Sequence, residues 1–430
     1  MKRFCKFLAA CLLLGAWIAP GYALTEERAG ELYNQAKRGD AQALKALEQA
    51  AAQGLAMAQL RVGAMYHNGE GVPQDYAQAR QWYEKAAAQG DAEAQVQLGR
   101  LYATGQGVPQ DYAQARAWYE KAAEQGWQEA QFNLGTMYHH GEGVPQDYAQ
   151  ARAWYEKAAA QGGQEAQLRM GAMYYNGEGG QQDYAQARHW WEKAAAQGLA
   201  DAQISLGGLY AKGQGVPQDY VQARRWYEQA AAQGNAAAQF ALGLLYANGH
   251  GVRQDYAQAR QWYEKAAAQG DADAQLNLGL LYANGRSVQQ DYAQARRWFE
   301  KAAAQGVAEA QTLLGAMYVE GKGVPKDYAQ ARSWYEQAAT QGFADAQNSL
   351  GVLYANGQGV PQDYAQARQW YEKAAAQGFA MAQNNLGALY ENGQGVRQDK
   401  HAAKAWYGKA CDAGYQLGCD NYRELNEAGF

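Results

Sequence analysis

Side chains able to do metal or acid–base chemistry are few in this chain and stand far apart. His67, His139 and His140 are the densest group, with Glu142 beside the last two. A metal site needs three or four ligands converging at fixed spacing, and the 72 residues between His67 and His139 correspond to about 20 Å of stacked helices. These histidines read as solvated loop residues, and no metal is expected. Nucleophiles fare no better. Ser205, Ser287, Ser333 and Ser349 occupy unrelated contexts, and neither a Gly-rich phosphate loop nor an H-E-x-x-H motif occurs. Glycoside chemistry would need two carboxylates flanking a cleft, whereas the acidic residues here recur as helix caps and surface pairs. No nucleophile is matched with a base, so neither an enzyme activity nor a cofactor is expected.

What recurs is spacing. Asp75-Tyr76, Asp111-Tyr112, Asp147-Tyr148, Asp183-Tyr184, Asp219-Tyr220, Asp255-Tyr256, Asp291-Tyr292, Asp327-Tyr328 and Asp363-Tyr364 repeat every 36 residues without insertion or deletion, and Asp399-Lys400 closes the series. A fixed period of this size marks a solenoid, in which each unit buries its apolar face only against its neighbours. The expected architecture is all-α: an α/α solenoid, a right-handed superhelix of ten helix-turn-helix repeats with terminal caps.

One repeat, residues 91–126, shows how the elements arise. Ala94, Leu98, Leu101 and Tyr102 follow helical spacing for one buried stripe. Gly99 sits inside that helix at a propensity cost of about 1 kcal/mol, so its recurrence implies a contact that admits no side chain, most simply close helix-to-helix approach. Gly105, Gly107 and Pro109 break the helix. Asp111 then caps a second helix, with Gln114 completing a D-x-x-Q capping box, and Gly126 ends it in the left-handed conformation. The recurring Trp82, Trp118, Trp154 and their equivalents lie on the second helix's apolar stripe and read as core.

The two ends differ. Lys2, Arg3 and Lys6 precede an apolar run at residues 8–19 and small residues at 21–23, the pattern of a cleaved secretory leader; a lipoprotein signal ending at Cys11 is the competing reading. No later stretch approaches 18 consecutive apolar residues. Loss of the leader moves the net charge from −5 to −8, and with no basic tract a nucleic-acid partner is not expected. The product would be an exported monomer of the periplasm or exterior of a Gram-negative bacterium. Cys411 and Cys419 then remain as an even pair, expected as a disulfide, with two free buried thiols as the alternative. The domain plan is residues 1–23 as leader, 24–54 as a degenerate capping helix pair, 55–414 as ten repeats and 415–430 as a capping helix.

Within copied units, positions that differ are those packing does not dictate. These are the equivalents of Met57, Leu60, Arg61, Ala64, His67 and Asn68, expected to line one face, the concave one. At the Leu60 position the series runs Leu60, Val96, Phe132, Leu168, Ile204, Phe240, Leu276, Thr312, Asn348, Asn384. The candidate partner-binding residues are Leu60, Arg61, Phe132, Leu168, Phe240, Leu244, Leu276 and Leu280. Among them Phe240 with Leu244 and Leu276 with Leu280 make an apolar patch suited to a protein or peptide, unless they pack locally under adjacent helices.

The consensus A-x-A-Q-x-x-L-G-x-L-Y-x-x-G-x-G-V-x-Q-D-Y-x-x-A-x-x-W-Y-x-K-A-A over residues 55–428 resembles the Sel-one-like repeat family, relatives of tetratricopeptide repeats. The resemblance implies a scaffold whose inner surface binds proteins, in bacteria often as an envelope adaptor or host-interaction factor. Residues 409–419 also resemble the Helicobacter cysteine-rich branch, where such cysteine pairs link one repeat to the next. That branch implies a β-lactamase-like hydrolase as an alternative, although none of Ser205, Ser287, Ser333 or Ser349 begins an S-x-x-K motif. Peptidoglycan or carbohydrate binding through face tyrosines is a third reading.

Overall fold

Each repeat folds as two 13-residue helices because the sequence supplies a stop and a start at fixed places. In the computed structural model, which describes residues 25–430, the helix Ala92–Thr104 ends at Gly105 with φ 72°. Only glycine takes this left-handed backbone without a side-chain penalty. Gly107 also has positive φ, and a Cβ there would strike the backbone of Tyr76 in the preceding repeat. Asp111 starts the helix Tyr112–Glu124, its carboxylate accepting from the Ala113 and Gln114 amides. The expected capping box is half formed: the Asp111 amide donates instead to the Tyr102 carbonyl at 2.9 Å, tying the second helix to the first. The leader expected at 1–23, with Cys5 and Cys11, lies outside the described residues.

The described residues form 23 helices and no strand, an all-α solenoid. By internal contacts the chain divides after Gln197. The first unit carries the helices Glu26–Lys37 and Ala41–Ala52 followed by four repeats. The second carries six repeats and the closing helix Gln416–Glu427. In both, the core is a chain of small clusters rather than one mass. Each joins the Ala79, Tyr83 and Ala86 type of residue from a second helix to residues of the following first helix, such as Ala94, Leu98 and Leu101.

Two expectations about packing are corrected. The helix glycine meets an aromatic ring, not a helix backbone: a Cβ on Gly63 would lie 2.7 Å from the Tyr83 ring, and Trp191 and Phe299 fill the same place opposite Gly171 and Gly279. The deep aromatic is therefore the Tyr83 series, fully or nearly buried, and not the tryptophans. Trp82 and Trp118 are half-buried. Each packs on the cluster of the preceding unit and has one ring face under a lysine, Lys85 at 3.8 Å and Lys121 at 3.9 Å. Only Trp190 of that series is buried, at 8% exposure.

A polar ladder runs beside the apolar clusters. Gln95 is buried; its amide donates to the Ala87 carbonyl and its oxygen accepts from Gln125 at 3.0 Å. Gln125 also donates to the Gly90 carbonyl. The same set recurs at Gln131 with Gln161 and at Gln347 with Gln377. Burying an amide costs free energy unless both ends find partners, and here each glutamine bonds one backbone carbonyl and its partner glutamine.

Candidate partner-binding face

The variable positions of the first helices divide into two sets. Those equivalent to Leu60 turn inward between successive repeats. Leu60 packs with Tyr83, Leu98 and Leu101, and Leu276 with Phe299 and Leu314; both are buried. These two are thus removed from the exposed face on which the sequence reading placed them. The reason is stacking, because the next unit's first helix lies over this position. Phe132, Leu168 and Phe240 at the same position are half-buried, with the Phe132 and Phe240 rings 5.5 and 5.8 Å from those of Tyr155 and Tyr263.

Where the series turns polar it stays buried, and each polar group is answered. The Thr312 hydroxyl donates to the Ala308 carbonyl at 2.8 Å. Asn385 donates to Asn348 at 2.9 Å, and Asn421 to Asn384 at 3.0 Å. The change from apolar to polar along the chain is a change in how repeats are joined, not in an exposed surface.

The partly exposed set comprises the equivalents of Arg61 and Ala64. Arg61 pairs with Glu93 of the next repeat at 3.4 Å, and Arg100 with Glu129. Leu244 and Leu280 are half-buried at the Ala64 position. Together with Asn248, Asn277, Tyr263 and Arg286 they line a cavity of about 150 Å³ in the second unit. Of the apolar patch predicted from sequence, therefore, Leu244 and Leu280 line this cavity, whereas Phe240 packs half-buried against the Tyr263 cluster.

The first unit has a different cavity, about 560 Å³, lined by Trp127, Phe132, Gly163, Glu129, Glu165 and neighbouring glutamines. Trp127 is 39% exposed. Sequence reasoning missed this feature, whose signal is Gly163, a glycine at the position where other repeats carry Leu55, Trp127, Leu199 or Phe343.

Charge on the loop after each first helix changes sign along the chain. Glu70, Glu142 and Glu178 stand where His250, Arg286 and Lys322 stand in repeats six to eight. Glu70 pairs with Lys37 at 2.8 Å. On the later loops His250 stacks on Tyr220 at 4.5 Å, Arg286 sits 5.0 Å above Tyr256, and Lys322 pairs with Glu320.

Of the three histidines expected to be solvated, His140 is exposed, but His67 and His139 are half-buried. His139 is half-buried and bonds Glu178 at 3.0 Å, while His67 sits edge-on to Tyr76 at 5.3 Å. Burial, and then the Arg100 guanidinium, holds His67 below the usual imidazole value. Among the described residues no three His, Cys, Asp or Glu side chains group as metal ligands, and no helix is long and apolar enough to cross a membrane.

The profile of the Sel1 repeat matches ten consecutive segments, residues 56–91, 92–127, 128–163, 164–199, 200–235, 236–271, 272–307, 308–343, 344–379 and 380–415. The chain belongs to the Sel1 repeat family. Among solved structures, this Sel1 repeat protein is similar to a protective antigen of uropathogenic Escherichia coli with an SLR fold. The two share 38% identity over 95% of this chain and 89% of that one, with a TM-score of 0.79. It is also similar to a Sel1 repeat protein of Oxalobacter formigenes, 39% identical over 72% of this chain and 89% of that one, TM-score 0.60. Helicobacter pylori cysteine rich protein B is 23% identical over 29% of this chain and 95% of that one, TM-score 0.25. No curated protein matches. Cys411 and Cys419 form a disulfide, with Cα atoms 4.5 Å apart.

Proposed function

We propose that this protein is an exported interaction scaffold that binds a protein or peptide on the first-helix face of its second unit. One observation carries the reading. The packing positions, Gly63, Tyr83 and Gln95 with their equivalents, are nearly constant from repeat to repeat, whereas the half-buried Ala64 position varies and in repeats six and seven brings Leu244 and Leu280 to a cavity beside Phe240. Partly exposed apolar side chains grouped at a concavity are what partner docking uses. The disulfide and the basic-then-apolar N-terminus support export, since disulfides persist in oxidising compartments. The test is affinity capture from envelope and host-cell extracts with residues 24–430, beside a Leu244→Glu, Leu280→Glu variant. A partner held by the first and lost by the second at equal helicity supports the site. Equal capture by both would move the binding elsewhere.

The cavity in the first unit favours a second reading, binding of cell-wall carbohydrate. An exposed indole edged by amides and carboxylates offers a sugar ring one apolar face and several hydrogen-bonding groups. Sedimentation with purified sacculi tests it: the wild-type chain should pellet and Trp127→Ala should not.

A further inference from the structure

Tyr263 is among the deepest of the buried tyrosines. It is 1% exposed, and among the described residues its hydroxyl has no hydrogen-bond partner. The equivalent Tyr155 bonds the Thr136 hydroxyl at 3.1 Å, and Tyr407 donates to Glu391 at 2.7 Å. In repeat six the residue at the Thr136 position is Leu244, which offers no partner. A buried hydroxyl left unpaired costs free energy. The Tyr263 side chain lines the 150 Å³ cavity, with Leu244, Leu280, Asn277 and Arg286 among the other walls. Burial raises the Tyr263 pKa, so the group remains a donor at neutral pH.

We infer that this cavity receives the carboxylate of an aspartate or glutamate side chain from a bound peptide, with the Tyr263 hydroxyl and the Arg286 guanidinium as its donors. The inference rests on the scaffold reading and names the chemistry of its ligand. Three features converge on it. The orphaned donor calls for an acceptor. Arg286 supplies the countercharge, and a carboxylate accepting from both a guanidinium and a hydroxyl makes the stronger, charge-assisted kind of hydrogen bond. Among the described residues lining the cavity none is Asp or Glu, so its wall supplies no carboxylate of its own to these donors. Leu244 and Leu280 would take apolar residues flanking the acid.

The test uses two fluorescein-labelled, end-blocked peptide pools that differ only in a central Glu or Gln flanked by apolar residues. Fluorescence anisotropy reports binding to residues 24–430. The Glu pool should bind at least about tenfold more tightly than the Gln pool, a difference of about 1.4 kcal/mol, and added salt should narrow the gap. Arg286→Gln, an exposed substitution, should remove the preference. Tyr263→Phe should weaken Glu binding about tenfold without lowering the melting temperature, because Phe299 fills the equivalent place in repeat seven. Leu244→Thr, which recreates the pair seen at Thr136 and Tyr155, should weaken it likewise. Equal binding of the two pools, with both lost in Leu244→Glu, Leu280→Glu, would overturn the carboxylate assignment and leave the scaffold reading standing. Binding of neither pool, or a lower melting temperature for Tyr263→Phe, would also overturn the assignment.

Discussion

At the scale of single residues, one ring and one missing methyl group organise each repeat. Gly207 and Gly208 are neighbours in the same helix, Ala200–Lys212. A Cβ on Gly207 would run into the Tyr227 ring, while one on Gly208 meets nothing within 4 Å. Alanine gains about 1 kcal/mol of helix propensity at either site, but overpacking costs about 1 to 3 kcal/mol at the first. Gly208→Ala should therefore raise the midpoint of urea unfolding and Gly207→Ala should lower it. Ser287 is a local exception of another kind: it has φ 66° where the other turns have glycine, so Ser287→Gly should stabilise the fold by about 1 kcal/mol, seen as a higher melting temperature. His67 sets a pH dependence. Its folded pKa lies below the ordinary 6.5, so the unfolded chain binds the proton more tightly; its contribution is present above pH 6.5 and is lost as pH falls toward the folded value. His67→Gln should flatten the fall in stability on acidification through this range in denaturation curves collected from pH 7.5 downward. The packing glycine was legible in the sequence as a position forbidding a side chain. The object it faces was not, because Tyr83 and Trp82 are adjacent on one helix and periodicity alone does not say which ring goes deepest.

At the scale of helices, caps were the most readable feature and surfaces the least. Aspartate before each second helix and glycine after each first helix act locally, within a few residues of chain, so sequence order sufficed to place them. Asp219→Ala removes a carboxylate that accepts from the Val221 and Gln222 amides and should cost about 1 kcal/mol, measurable by chemical denaturation. Whether a residue such as Leu60 or Leu276 faces outward depends instead on where the next helix lies, a contact 38 residues away for Leu60 and Leu98. Variation at this position looked like freedom from packing and is in fact variation in packing. The Asn348–Asn385 and Asn384–Asn421 pairs make the point, since each joins one repeat's first helix to that of the following unit. The cavity in repeats six and seven was legible only in part. Leu244 and Leu280 were visible as an apolar departure, but the unanswered Tyr263 hydroxyl needed coordinates.

At the scale of the whole molecule, stability within each unit is a sum over junctions, held by an apolar cluster and a glutamine pair. The last junction differs. Cys411 and Cys419 stand where Ala87 and Gln95 stand in an internal repeat, so a covalent bond replaces the glutamine-to-carbonyl hydrogen bond. Ala413 takes the place of the partner Gln125, and the Gln383 oxygen is left buried without one among the described residues. The closing helix Gln416–Glu427 has only one side covered, with Leu417 and Tyr422 exposed. Replacing both cysteines by serine should lower stability by about 2 to 3 kcal/mol. Amide hydrogen exchange should show the loss confined to the last helices, with repeats one to eight unchanged. The glutamine junctions have a further consequence for inheritance. Because neighbouring units share the same glutamine junction, crossing-over between misaligned copies of the gene can insert or delete 36-residue units in frame while keeping that junction intact. The clasped last unit cannot be copied inward so freely, because its cysteines stand in place of Ala87 and Gln95 and Ala413 in place of the partner Gln125. Isolates of this protein should accordingly differ in copy number within the array while keeping a single cysteine pair at its terminus.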